Sequence, residues 1–489
     1  MPSKACVIGA GFSSLSAACH LAKAGFEVTV LEKNDGPGGR ARKFSEKGFH
    51  FDMGPSWYWM PDVFEHFFHQ FGKSPSDYYD LIRLDPSYVV NFDDGPVQIP
   101  ADMVAFEALC ESIEPGSSHQ LRKFLSQAEY KYQVGINDLV YKPSRSLTEF
   151  LDYRLLYGLL KMDVFTSMRA HVHKFFKSQK LRQLMEFPIL FLGATPQNTP
   201  ALYSLMNYAD ISLGTWYPMG GMYKVVEGMV KLAEELGVQF KYNQEVTSFE
   251  YGGRSVRSLV TTTDEFECNV VVAGADYQYI DQHILAADYQ NYSSKYWNSR
   301  VMAPSSLIFY IGLDKKLPDM FHHVLFFDED FDQHAKEIYE HPQWPTKPLL
   351  YTSVTSRTDS STAPANGENL FILIPVAPDL DDNPETRDRY LHMAMDKLES
   401  FNQCDIRSNL SFCRSFAHND FKADYHSFKG NAYGLANTLM QTAILKPSLK
   451  NKHLNNLYFT GQLTVPGPGV PPSLISGEVI AREIAKDFG

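Results

Sequence analysis

Apolar positions along this chain fall into short, dense runs separated by glycine-rich turns. The first run, Lys4-Ala5-Cys6-Val7-Ile8, is stopped by Gly9 and predicts a strand buried in a parallel sheet. Residues 12–24 then read as a helix, and Glu27-Val28-Thr29-Val30-Leu31-Glu32 as a second strand. Further on, residues 222–236 predict a helix, followed by strands at 238–240, 245–251, 256–262 and 266–273. Runs at 305–312 and 369–376 are strand-like, and residues 356–369, rich in Ser, Thr, Pro and Asn, predict a surface loop. Residues 5–22 are apolar enough to imitate a signal peptide, but the glycine turn and the β-rich pattern explain them better. Residues 187–209 carry no charge, yet Pro188, Pro196 and Pro200 break any spanning helix.

The first turn carries chemistry. In Gly9-Ala10-Gly11-Phe12-Ser13-Ser14, Gly9 allows the tight bend and Gly11 lets backbone approach a pyrophosphate at the helix N-terminus. Ser14 stands where a third glycine usually permits close helix–strand packing, which predicts a modest packing adjustment. Glu32 follows Gly11 by 21 residues, where a carboxylate accepts hydrogen bonds from ribose hydroxyls. Gly36-Pro37-Gly38-Gly39-Arg40-Ala41-Arg42 comes next: paired glycines for close approach, and Arg40 for phosphate. Near the far end lie Gly461 and Pro466-Gly467-Pro468-Gly469. Together these describe a site for FAD built from opposite ends of the chain.

The residues at this point resemble the bacterial-type phytoene desaturase family. The resemblance rests on Leu31-Glu32-Lys33, Gly38-Gly39-Arg40-Ala41, Phe51-Asp52-Met53-Gly54-Pro55-Ser56 and Tyr217-Pro218-Met219-Gly220-Gly221. It continues through Asn431-Ala432-Tyr433-Gly434-Leu435 and the segment from Tyr458 to Pro471. The family implies an amine-oxidase-like fold, FAD and a carotenoid substrate. On that pattern Gly9, Gly11, Phe12, Ser13, Ser14, Glu32, Lys33, Gly39 and Arg40 serve the nucleotide half. Gly54, Pro55 and Ser56 approach the isoalloxazine, and Val246 meets adenine through its backbone. Gly461, Gln462, Gly469 and Val470 hold the ribityl and flavin, with residues 473–484 as the closing helix. Gln462 departs from the carboxylate that many flavoproteins place there.

The fold class expected is α/β: a discontinuous Rossmann-like FAD-binding domain (1–99, 216–289 and 431–489) with a mixed α+β substrate domain (100–215 and 290–430). A chain of 489 residues supports two domains. The net charge of -12, with no basic stripe, argues against nucleic acid. Cys6, Cys19, Cys110, Cys268, Cys404 and Cys413 show no metal or redox spacing and read as buried small hydrophobes of a reducing cytosol. No metal-ligand cluster stands out.

Residues 142–182 carry nine Lys/Arg against three Asp/Glu, interleaved with Leu155, Leu156, Leu159, Leu160, Val164, Phe165, Met168, Phe175 and Phe176. Two readings are open: a lipid-docking segment, or an amphipathic helix with its apolar face in the core. The carotenoid implication favours the bilayer, because moving a polyene through water costs about 0.8 kcal/mol per CH₂. A cytoplasmic, peripheral membrane association is therefore expected.

The reaction implied is desaturation of a long apolar polyene by hydride transfer to flavin. The substrate is phytoene or a later intermediate, such as a 1-hydroxycarotenoid desaturated at the 3,4 bond. With no second G-x-G-x-x-G for NAD, electrons leave to an acceptor such as quinone or oxygen. No proton acceptor is assigned: His50, Tyr217, Arg145, Asp152 and Arg154 are each noted and none is chosen, and the reduced flavin itself stays open as the acceptor. A carotenoid isomerase or ketolase, an amine oxidase, and a non-enzymatic prenyl-lipid carrier are the alternatives.

Overall fold

Both ends of the chain enter one parallel sheet. In the computed structural model, which describes residues 2–144, 166–192 and 195–488, its strands run in the order Leu457–Phe459, Val270–Ala273, Lys4–Ile8, Glu27–Leu31, Gln239–Lys241. All four pairings are parallel, with Val7 opposite Val272 on one side and Val30 on the other. The helix Phe12–Lys23 lies against this sheet, and the helix Val470–Phe488 lies against it in turn. Their contact is close because Gly477 has no side chain: a Cβ there would stand 2.3 Å from the carbonyl oxygen of Ser13. The Ser16 hydroxyl donates to the Leu474 carbonyl at 2.7 Å and pins the crossing.

A second sheet has seven strands, ordered Leu410–Phe416, Ser305–Leu313, Glu368–Val376, Leu350–Ser353, His323–Phe327, Tyr88–Phe92 and Gly95–Ile99. It is antiparallel apart from His323–Phe327 against Tyr88–Phe92. Its central strands are apolar throughout because both faces are covered. Leu307, Phe309, Ile372 and Ile374 pack on one face with Tyr390, Ala394 and Leu398 of the helix Pro384–Asn402. Ile308, Tyr310, Phe371 and Leu373 face the other way, into the main core. Residues 88–99, grouped by the sequence reading with the nucleotide piece, pair here with residues 323–327.

Other expectations are corrected. Residues 356–369 are a surface loop only in part: Ser360, Ser361 and residues 364–366 are exposed, but Ser356, Asp359, Thr362 and Asn369 are buried. Asp359 accepts from the Gly220 N–H at 2.6 Å and Asn369 donates to Thr355 and to the His50 carbonyl, so the polar residues staple the loop inward. Four cysteines are buried, but Cys404 is half-buried and Cys413 exposed, on the outermost strand of its sheet. Of the basic stretch 142–182, residues 145–165 lie outside the described residues. The described part turns its apolar side to the core: Met168, Val172, Phe176 and Leu181 are fully buried. No helix among the described residues is long and apolar enough to cross a membrane.

Candidate active site

A cavity of about 400 Å³ runs between the two sheets. The turn after the first strand forms one end. The Gly9 N–H donates to the Leu31 carbonyl at 2.7 Å with φ at +88°, a conformation that suits glycine. Gly11 is the N-cap of the helix Phe12–Lys23 and gives it no side-chain cap, so the first N–H groups point into the cavity unpaired with any side chain. A Cβ on Gly11 would meet nothing within 4 Å, while Gly39 crosses so closely that its own would lie 3.3 Å from the Gly11 Cα.

Ser14, by contrast, is fully buried and does not line the cavity. Its hydroxyl fills the space beside Gly274, where a Cβ would stand 1.9 Å from the Ser14 Oγ. The small residue that this packing needs sits on the strand end instead of the helix.

Glu32 is buried with both carboxylate oxygens aimed by backbone. Its Oε2 accepts from the Ala10 N–H at 2.8 Å, and its Oε1 accepts from the backbone and amide N–H groups of Asn34, each at 2.9 Å. Each oxygen keeps acceptor capacity for a further donor. Beyond it Val246, Gln244 and Glu245 form the end wall. Lys33 donates to the Ala423 carbonyl at 2.8 Å, and His426, stacked 3.8 Å from Tyr279, has Nε2 at 2.7 Å from Glu245 Oε1.

Arg40 is a buried cation of the cavity wall. Its Nη2 donates to Ser427 Oγ at 3.0 Å, and the guanidinium lies 5.4 Å from the Tyr425 ring centre. Its Nε has no hydrogen-bond partner. Burial pulls the guanidinium below its usual range, opposed by Asp276. With its amide oxygen turned inward, Gln462 accepts from Nη1 at 3.3 Å and Nη2 at 3.1 Å. A neutral amide here adds no further negative charge beside the arginine.

Glycine again permits the next contact: a Cβ on Gly54 would lie 2.4 Å from the Arg40 carbonyl oxygen. Asp52, two residues earlier, accepts from the N–H groups of Met222 at 2.8 Å and Tyr223 at 2.9 Å, where the helix Tyr223–Glu235 begins. Burial raises its carboxyl to about 6 against those hydrogen bonds. Thus the Asp52 and Gly220-Gly221 motifs meet, although 170 residues separate Asp52 from Met222.

Beside the first turn, where its Cβ would lie 3.2 Å from Ser13 Oγ, Gly461 with φ at +106° donates its N–H to Ser476 Oγ at 3.0 Å, and Ser476 also meets the hydroxyls of Thr460 and Thr464. Phe12, Ser13, Pro55, Ser56, Gly469 and Val470 line the cavity as well. The sequence reading missed the remaining wall: Trp57, Trp59, Ile308, Tyr351, Leu373 and Tyr433. The Tyr351 hydroxyl is 2.9 Å from Ser56 Oγ and 2.7 Å from His323 Nδ1.

His50 is exposed and paired with Ser45, so it is no part of this wall. Tyr217 borders a separate small hollow beside Asn369 and reaches Asp359 at 3.4 Å. Arg145, Asp152 and Arg154 lie outside the described residues.

Comparison with known proteins agrees with this geometry. The model of the family described as flavin containing amine oxidoreductase matches residues 12–485. A carotenoid 3,4-desaturase of Haloarcula japonica is 40% identical over 486 residues, covering 99% of this chain and 98% of that one. A zeta-carotene-forming phytoene desaturase of Myxococcus xanthus is 31% identical over 98% of this chain and 93% of its own length. Cyclohexylamine oxidase from Brevibacterium oxydans shares the fold, with a TM-score of 0.61 at 13% identity and 100% of both chains covered. A fatty acid isomerase from P. acnes gives 0.60 at 15% identity, covering 100% of this chain and 99% of that one. The chain belongs to the flavin-containing amine oxidoreductase family, and within it to the carotenoid desaturases.

Proposed function

We propose that this protein is an FAD-dependent carotenoid desaturase that forms the 3,4 double bond of a late polyene such as a 1-hydroxycarotenoid. The observation that carries the reading is the continuous cavity, with its polar turn, buried acid and arginine at one end and its aromatic and aliphatic wall at the other. FAD fits the polar end. The uncapped helix N-terminus and the unpartnered Arg40 Nε suit a pyrophosphate, Glu32 suits the ribose, and Val246 borders the adenine end. Gly39, Gly54 and Gly461 let the segments around that end cross closely, against Gly11, Arg40 and Ser13. FAD, when bound, supplies a two-electron oxidant that accepts hydride. Trp57, Trp59, Ile308 and Leu373 grip a polyene by area alone and exclude water.

A bilayer is the natural source of such a substrate, since lipid-to-cavity transfer avoids exposing hydrocarbon to water. Val301, Met440 and Leu445 are exposed at 49%, 74% and 44%. Gln441 joins their segments, accepting from the Val301 N–H at 2.9 Å and donating to its carbonyl at 2.8 Å. This small apolar surface supports docking on lipid, where a quinone, or else oxygen, would take the electrons that bound FAD collects. Expression in cells making different carotenoid precursors, followed by pigment analysis, tests the reading. A red-shifted product from the 1-hydroxycarotenoid is expected, and unchanged pigment with every precursor contradicts it.

A further inference from the structure

We propose that Tyr351 and His323 are the proton acceptor of the desaturation. The inference rests on the desaturase reading and deepens it. Forming a C=C bond removes one hydrogen as hydride, which goes to the flavin with its electron pair. The second hydrogen leaves the neighbouring carbon as a proton, and the C–H electron pair it leaves behind becomes the new π bond. That proton needs a basic atom in an otherwise apolar wall.

Tyr351 borders the cavity, and its hydroxyl stands 2.7 Å from His323 Nδ1. With this hydroxyl donating to Nδ1, Ser56 Oγ at 2.9 Å donates to the tyrosine oxygen, whose remaining lone pair takes the substrate proton while the tyrosine's own proton passes to the imidazole. One C–H bond is broken and one N–H bond is made, and the positive charge moves from the substrate to His323. The Trp57 ring lies flat on His323, with ring centres 4.2 Å apart and planes at 14°. It fixes the imidazole's orientation, and its π face stabilises an imidazolium.

The groups that touch the pair directly are uncharged, Ser56 and Ser353 beside Tyr351 among them. His322 meets His323 edge-on at 4.4 Å, and its Nδ1 is 2.7 Å from Thr358 Oγ1. Tyr217 lies 4.7 Å from His322, Tyr433 stands beyond Tyr351, and Asp359 acts on the outer histidine only. Burial brings His322 down to about 3 and His323 well below its ordinary value, so both are neutral bases at neutral pH. Weak basicity suffices, because a C–H bond beside an allylic cation is a far stronger acid than an imidazolium. His50 is exposed and Asp52 is committed to capping a helix, so neither competes.

The test compares wild type, Tyr351→Phe and His323→Asn, each loaded with FAD and given vesicle-borne polyene. The polyene is deuterated separately at the two carbons that lose hydrogen. Both variants are expected to bind FAD normally and to slow turnover by about 100-fold. Their isotope effect grows at the proton-losing carbon and not at the hydride-losing carbon; a structural role slows both without changing that pattern. In FAD-free protein, ¹⁵N spectra of the histidines are expected to show His323 neutral with Nδ1 unprotonated, and shifted by Tyr351→Phe. Wild-type rates and isotope patterns in both variants, or a proton resident on Nδ1, overturn the proposal. If wild-type protein itself leaves the polyene unchanged, the desaturase reading has failed, and this inference with it.

Discussion

Gly477 stands against Ser13 so closely that the missing side chain is the contact: any Cβ would lie 2.3 Å from the Ser13 carbonyl oxygen and 2.6 Å from the Ser16 Cβ. The last helix thereby seats on the first, and the two ends of the chain close one cavity. Gly477→Ala is expected to lower stability by about 1–3 kcal/mol, the usual cost of overpacking. It should also loosen the Gly461 turn, which Ser476 holds. Thermal denaturation and the FAD content of purified protein check both effects.

Ser14 and Gly274 form a second matched pair. Gly274→Ala puts a methyl 1.9 Å from the Ser14 hydroxyl oxygen and should destabilise the sheet end. Ser14→Gly alone should cost little. Combining the two should recover most of the loss, giving a coupling of about 1–2 kcal/mol in a double-mutant cycle. Additive losses would mean that the two residues do not share the space.

Arg40→Ala removes a buried cation from the cavity wall and should weaken FAD binding by about 10–100-fold, the worth of a charge-assisted contact of about 1.5–3 kcal/mol. Gln462→Glu introduces an anion beside the same guanidinium. It competes with phosphate for that charge and should weaken binding less. Equilibrium dialysis of FAD against each apoprotein gives the order.

Lys446 is buried with no hydrogen-bond partner on Nζ, and burial lowers its ammonium from 10.5 to about 7. The unfolded chain then binds more protons than the folded one between these values. The group costs nothing above pH 10.5, and its penalty grows as pH falls to about 7. Lys446→Met removes the dependence and should stabilise the protein at pH 7 by on the order of 4 kcal/mol. Denaturant unfolding of both proteins at pH 7 and pH 10 checks the sign: the gap should shrink at the higher pH.

The first strand–helix–strand unit was legible because its signals are local: Gly9, Gly11 and Glu32 are close in sequence, and all three line the cavity. The apolar wall was not. Ile308, Leu373 and Tyr351 sit on strands covered on both faces, so the residues facing the cavity look like those facing the helix Pro384–Asn402. His323 becomes interesting only when Trp57, some 270 residues away, lies on it. Asp359 and Asn369 misled in the opposite sense: polar residues that usually mark a surface loop here hydrogen-bond inward. The strands at 88–99 belong to a sheet whose other members begin two hundred residues later, a pairing no local pattern encodes.

The most direct measurement mixes FAD-loaded protein anaerobically with a 1-hydroxycarotenoid in vesicles and follows the flavin and polyene spectra together. Bleaching of the flavin with an equimolar red shift of the polyene is the predicted result. A flavin that stays oxidised while the polyene is unchanged, with the cofactor bound and the substrate present, contradicts it.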